Sequence, residues 1–571
     1  MTEQVKQEEA NRTRVPEQVM DRLSALLSER ALLPADKLEA YQDRARWLHQ
    51  DLDRILVEEK ALPEAELIGL LSEITGIEEI RMTETTIDPE AIAAVPAGLV
   101  SRFDLVPVRQ EVDRIILATC DLHAVAEEDH LRLLLGRPVE WRLCPSEEIS
   151  ESIKHFYGVA IDTFLHLESG ESIETAAGHE NVEISTYVRE IIFDAARSGA
   201  TDIHFEPFAD DTRLRYRIDG AMTNIPLPPG AGKHHRAFAS AIKVLAQMDI
   251  AEHRLPQDGR FTLRVDDTEL DLRVSVLPTR HGEAVELRIL NRETTFITLD
   301  RVGMSSDQLA HLEGLISQPN GITFFTGPTG SGKTTSLYGT LAQLNDEQRK
   351  IVTIEDPVEY QIKGITQLQV HAGIGFTFAS GLRSVLRHDP DVILIGEIRD
   401  VETATIAIRS SLTGHLVFST LHTNDAPSAM IRLVDMGIEP YLVASSVRGV
   451  VAQRLVRSIC QNCKQERTLE AWEQEQFASL FAGSAGAKRV QCGAGCPHCR
   501  FTGYRGRCAI FEVMVLNDEI RSMVVDRAVS AAIMDCARKD GLVTLRESGW
   551  TRVTDGTTTP EEVLRVTGDP G

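Results

Sequence analysis

The residues best suited to chemistry lie together at Gly327-Pro328-Thr329-Gly330-Ser331-Gly332-Lys333-Thr334, followed by Thr335. The run matches the P-loop pattern G-x-x-x-x-G-K-[ST], whose work is phosphate binding. Glycines let backbone N–H groups close around phosphate oxygens, and the start of the following helix adds positive dipole. In such a loop Lys333 reaches the β- and γ-phosphates and Thr334 ligates Mg2+. The flanks agree. Gly321-Ile-Thr-Phe-Phe-Thr reads as a short apolar strand, and Leu337, Leu341 and Leu344 recur at helical spacing behind the loop. A strand, a glycine loop and a helix in that order predict ATP binding.

Further candidates follow along the chain. Lys350-Ile-Val-Thr-Ile-Glu355-Asp-Pro-Val-Glu359 reads as a strand ending in carboxylates. Asp391-Val-Ile-Leu-Ile-Gly396-Glu397 is a continuous apolar run, as in a central parallel strand covered on both faces. A carboxylate at such a strand end sits where α/β sheets place ligands, so Glu397 is placed to hold Mg2+ or polarise a water. Gly396 stands where many P-loop enzymes carry a metal-binding Asp, which leaves Mg2+ to Thr334, water and Glu397. A third strand ends at His422, a candidate sensor of the γ-phosphate. Upstream, strict alternation puts Arg213, Arg215 and Arg217 on one strand face, and Arg273 and Arg288 repeat the device on later strands. Arg254-Leu-Pro-Gln-Asp-Gly-Arg260, between them, carries a turn signal. Such arginines are either solvated or charge stabilisers for a nearby phosphate.

Cys460-Gln-Asn-Cys463 and Cys496-Pro-His-Cys499 form two C-x2-C knuckles, and four thiolates suit tetrahedral Zn2+. The interval between them exceeds that of a usual zinc ribbon and predicts a small helical insert around Ala471. Cys492 rivals Cys496 for one ligand position, and His498 is a weaker rival. Unligated buried thiols are the plain alternative.

The elements that must position these residues belong to a 571-residue chain with a formal net charge of -26, enough for about three to five domains. That charge argues against sequence-independent nucleic-acid binding. No apolar run approaches bilayer length, the N-terminus is acidic and polar, and five of nine cysteines crowd between 460 and 499. These point to a reducing cytoplasm. Residues 1–160 read as a helical and α+β docking domain. Leu23, Leu26 and Leu27, then Leu52, Ile55 and Leu56, then Leu67, Leu70 and Leu71 each mark a buried helical stripe. Polar residues around 161–183 read as a linker.

The P-loop, Thr353-Ile-Glu-Asp-Pro-Val-Glu-Tyr360, Asp389-Pro-Asp-Val-Ile-Leu-Ile-Gly-Glu-Ile-Arg399 and Thr413-Gly-His-Leu-Val-Phe-Ser-Thr-Leu-His422 occur in that order. Together they resemble the secretion ATPases that power type II secretion and type IV pilus assembly, over about 185–555. The resemblance implies an α/β fold. An α+β, PAS-like N2 domain (184–296) precedes a RecA-like core (297–455), a zinc module (456–509) and a helical C-terminal part (510–571). It implies a homo-hexamer with ATP bound between N2 and the core. Arg217, Arg273 and Arg288 would be charge stabilisers, and Glu355 and Glu397, with Glu359 nearby, would handle the attacking water. It further implies a cytoplasmic motor held at the inner membrane by a platform protein and assembling pseudopilins, with a pilus extension ATPase as the alternative. The zinc module favours assembly over retraction, since retraction relatives lack it. Some relatives bind cyclic-di-GMP through Leu-Gly signatures. Here Arg22-Leu-Ser24 and Leu52-Asp53-Arg54 replace the first glycines and Glu29 and Glu59 crowd the second, so that ligand is not expected. A nucleotide-gated scaffold with little turnover is the reading from another class.

Overall fold

A computed structural model describes the chain apart from residues 1–16, 49, 170–178, 210, 266–267, 292–298, 347, 481–488 and 569–571. The chain divides into two units, Met1–Asn291 with Ala494–Thr502, and Arg292–Gly493 with Gly503–Gly571.

In the first unit, helices Glu17–Glu29, Leu52–Glu58 and Glu64–Thr75 bury the leucine stripes of the sequence in one core. Strands β1 (Leu105–Gln110), β2 (Ile115–Thr119) and β3 (Val139–Leu143) follow, β1 antiparallel and β3 parallel to β2. The expected linker is helical at both ends, in Ile161–Ser169 and His179–Arg197; its middle lies outside the described residues. The amphipathic helix that the spacing of Tyr187, Ile191, Ile192 and Ala195 predicts is present, buries those residues and stops at Gly199, φ +70°, but it begins earlier, inside the expected linker.

A six-stranded antiparallel sheet follows: β4 (Ala200–Pro207), β5 (Thr212–Ile218), β6 (Ala221–Ile225), β7 (Gln257–Val265), β8 (Thr268–Thr279) and β9 (Gly282–Asn291), in the order β6-β5-β4-β9-β8-β7. Phe205, Leu214, Tyr216, Leu272, Val274 and Leu287 form its buried face. Alternation therefore sends the arginines to the other face.

The second unit is built on a seven-stranded sheet. Its strands are β10 (Gly321–Thr326), β11 (Ile351–Glu355), β12 (Thr366–Gln369), β13 (Val392–Ile395), β14 (Leu416–Leu421), β15 (Val447–Ile459) and β18 (Tyr504–Val515), in the order β12-β11-β13-β14-β10-β15-β18. All pairs are parallel except β15 with β18. Successive residues feed opposite cores. Ile322, Phe324, Ile354, Ile393 and Ile395 pack on one face, and Phe325, Ile351, Val392, Leu394 and Phe418 on the other. Two apolar faces explain why these strands read as unbroken apolar runs. The insert carries helix Ala471–Leu480, as expected, together with a pair not expected, β16 (Lys464–Thr468) antiparallel to β17 (Arg489–Gly493).

Candidate nucleotide site

The parallel order brings the carboxyl ends of β10, β11, β13 and β14 to one edge of the sheet. Thr326 pairs with Leu421, so Gly327 and His422 leave neighbouring strands together. Ile395 pairs with Ser419 and with Ile354, which sets Gly396-Glu397 between the end of β14 and Glu355.

The loop itself needs its glycines. Gly327 has φ +151°, Gly330 +78° and Gly332 +85°. A Cβ on Gly327 would fall 2.5 Å from the Gln453 carbonyl oxygen and 2.6 Å from Ser331 Oγ. Pro328, Thr329 and Gly330 form the exposed rim, while Ser331 and Lys333 are buried. Lys333 Nζ donates to the carbonyls of Gly327 (2.7 Å) and Pro328 (2.9 Å). Burial, aided by the Arg454 charge and opposed by Glu397, pushes its pKa down to about 8. Ser331 Oγ is buried with no hydrogen-bond partner among the described residues. An orphan hydroxyl and a buried amine in a glycine cradle fit a phosphate ligand. Thr334 is exposed and Thr335 half-buried on the first turn of helix Lys333–Leu344, so Thr334 is free to meet a cation.

The carboxylates divide into two kinds. Glu397 is half-buried, with Oε1 2.5 Å from Arg399 Nη2 and Oε2 3.5 Å from Nε2 of the exposed His422. Together with Lys333, these groups lie beyond the carboxyl ends of neighbouring strands. Glu355 is only 4% exposed and accepts from the Tyr338 hydroxyl, from Thr353 Oγ1 (2.5 Å) and from Gln367 Nε2 (3.2 Å). Glu359 lies exposed in the loop after β11. Gly396 has a steric reason: a Cβ there would lie 3.3 Å from the Ile354 carbonyl oxygen and 3.4 Å from Glu355 Cα.

In the first unit the arginines form a cross-strand row. Arg260 of β7 pairs with Arg273, Arg273 with Arg288, Arg288 with Asp202, and Asp202 with Arg217. Asp202, buried, holds Arg288 Nε at 2.8 Å and Arg217 Nε at 3.4 Å. Arg260, Arg273 and Arg288, with Glu286 and Asp258, line a groove of about 530 Å³; Arg217 is not among its lining residues. The other two arginines of β5 are otherwise engaged, Arg215 with Glu206 and Arg213 over the Phe208 ring.

The sulfurs of Cys460, Cys463, Cys496 and Cys499 all lie within 4.8 Å of one another, and all four cysteines are buried. Tetrahedral zinc with Zn–S near 2.3 Å places its sulfurs ~3.8 Å apart, and the Cys496–Cys499 separation is 3.7 Å. The donor set fits Zn2+. Cys492 and His498 are not in the group.

The sequence model of the type II/IV secretion system protein family matches residues 177–565, and that of the MshEN domain matches residues 75–162. The chain belongs to the type II/IV secretion system protein family.

Among relatives of this secretion ATPase, type II secretion system protein E of Xanthomonas campestris pv. campestris is 41% identical over 569 residues, covering 96% of this chain and 98% of that protein. Type II secretion system protein HxcR of Pseudomonas aeruginosa is 50% identical over 382 residues, 67% of this chain and 77% of that one. The type IV pilus assembly ATPase PilB of Myxococcus xanthus is 38% identical over 561 residues, 95% and 98%. The secretion ATPase is an ATP-hydrolysing enzyme. Among the described residues no helix is long and apolar enough to cross a membrane.

Several residues of each unit of this ATPase escape a reading of motifs. Arg260 was visible only as the end of a turn, though its alternation with Phe261 and Gly259 carried the signal. Tyr338 and Asp202 act through partners 17 and 86 residues away, on Glu355 and Arg288. Arg454 and Glu512 have no motif at all.

Proposed function

We propose that this ATPase drives pseudopilus assembly and protein export in a type II secretion system. The observation that carries it is the edge where Lys333, Glu397 and His422 come together, in a chain of which 96% is matched by a type II secretion system protein E. At that edge the loop 327–332 and Lys333, with Thr335 beside them, bind the triphosphate of ATP. Thr334 and Glu397 would hold Mg2+, which supplies charge neutralisation across the β- and γ-phosphates. Glu397 orients a water whose oxygen attacks the γ-phosphorus as the bond to the bridging oxygen breaks and ADP leaves. The water's proton passes to phosphate. Glu355, fixed by its three donors, and Glu359 shape the acidic side of the site, and His422 senses the γ-phosphate. Arg273 and Arg288, with Arg217 tethered beside them, offset charge developing on the transferred group. The four cysteines would hold structural Zn2+ within 456–509.

In this reading six copies form the working motor in the cytoplasm, and the N-terminal domain, residues 1–160, docks a platform protein of the inner membrane. Likeness to PilB over 95% of the chain supports a second reading, extension of a type IV pilus. Steady-state hydrolysis by wild type and Glu397→Gln tests the motor: a loss of about 100-fold is expected for a group that polarises the attacking water. Equal rates would leave a nucleotide-gated scaffold. Co-purification of the full chain with platform proteins of each system decides between secretion and pilus.

A further inference from the structure

Arg454 is a buried charged group near the P-loop that the reaction described above does not use. It sits on β15, the strand beside β10, and is only 6% exposed. Its guanidinium lies against the first glycine of the loop: Nη1 would be 3.0 Å from a Cβ on Gly327. Nη1 donates to the Gln453 carbonyl (3.1 Å), and Nη2 donates to the backbone carbonyl of Asn424 (2.8 Å), two residues beyond His422. Thr326, the last residue before the P-loop, joins the same segment. Its Oγ1 accepts from Thr423 N (2.9 Å) and shares a hydrogen bond with Thr423 Oγ1 (2.6 Å). The loop after β14 is thus tied to the residue before the P-loop through Thr326, and to β15, beside Gly327, through the Arg454 cation.

The cation has a buried counterpart. Glu512 of β18 pairs with Ala452, which places its side chain on the same sheet face as Arg454 and diagonal to it. Glu512 is 2% exposed and accepts from the backbone N–H of Ala426 (2.7 Å) and of Leu545 (3.2 Å). It therefore anchors the start of helix Ala426–Asp435, which continues from the His422 loop. Asp425 adds a second negative charge near Arg454. Carboxylate, guanidinium and loop form one continuous polar path inside the sheet edge.

We propose that Arg454 is a positioning residue for ATP hydrolysis, linking β15, where it backs Gly327, to the segment 422–425 so that phosphate bound in the loop and the His422 ring hold a fixed separation. This rests on the ATPase site described above and on His422 acting as its sensor. Arginine suits the task because its planar fork serves two carbonyls at once, whereas the lysine ammonium is a point charge on a flexible stem.

The test uses the full chain. Arg454→Gln is expected to lower kcat about tenfold while the Kd of a fluorescent ADP analogue stays within threefold, because a misplaced sensor costs turnover rather than binding. Arg454→Lys, which keeps the charge without the fork, is expected to remain at least threefold below wild type, and it serves if the glutamine variant fails to fold. In the double variant with His422→Ala, the arginine change is expected to add no further loss, the signature of two residues acting through one another. Wild-type turnover by both Arg454 variants, a loss wholly in Kd, or losses that multiply with His422→Ala overturn the assignment. Wild-type turnover by Lys333→Ala would instead sink the ATPase site itself.

Discussion

A lysine amine that is buried and donates to two carbonyls of its own loop is already aimed at the place a phosphate takes. Lys333→Ala should therefore abolish measurable hydrolysis, a loss of about 1,000-fold or more in kcat/KM, since removal of one preorganised donor costs roughly that. Glu512 offers a prediction with a sign. Burial pushes its carboxyl up to about 7, above the value near 4.5 of an exposed glutamate. The fold thus holds that proton more tightly than the unfolded chain, and stability falls as pH rises from about 4.5 to about 7, then levels. Relative to Glu512→Gln, wild type should lose on the order of 2 kcal/mol between pH 5 and pH 8, from the roughly 1.4 kcal/mol that each pKa unit represents. Denaturation of both proteins at the two pH values checks it; parallel curves refute it. At this scale legibility followed chain continuity. Lys333, Thr334 and the glycines share one local run and were readable. The Tyr338 hydroxyl on Glu355, and Asp202 between Arg288 and Arg217, depend on which strands become neighbours, and nothing in a single run of residues states that.

Among the elements, strands with two apolar faces announced themselves, and so did leucine-striped helices. β16 did not. Lys464-Gln-Glu-Arg-Thr468 is polar at every position and offers no alternation, so only its pairing with β17 makes it a strand. A two-stranded ribbon is marginal alone in water, and here the strand β16 begins directly after Cys463. Metal at the four cysteines should therefore contribute much of the local stability. Purified protein is expected to carry close to one zinc per chain. A chelator strong enough to remove it should speed hydrogen exchange across 456–509 and leave β10, β11, β13 and β14 protected. Well under one zinc per chain, or unchanged exchange after stripping, defeats the expectation.

For the whole molecule the sharpest contrast is between a net charge of -26 and a row of four arginines in register. An acidic protein keeps such a row for a specific anion rather than for a polyanionic lattice. DNA retention should therefore be absent even at low salt, where counterion release would favour it. If the anion is the transferring phosphate, Arg273, Arg288 and Arg217 should not count equally. Arg273 lines the groove with no ion-pair partner among the described residues, Arg288 lines it but leans on Asp202, and Arg217 is held by Asp202 outside it. Alanine substitution should then cost kcat most at Arg273, about 100-fold for a phosphate-clamping cation, less at Arg288 and least at Arg217. Affinity for ADP should stay near wild type in all three, because the charge they answer exists only during transfer. Saturating-ATP turnover of the three variants, measured under conditions where wild type is assembled, gives the ranking. Equal losses, or a largest loss at Arg217, would mean that the row supports the sheet and that phosphate transfer is served from elsewhere.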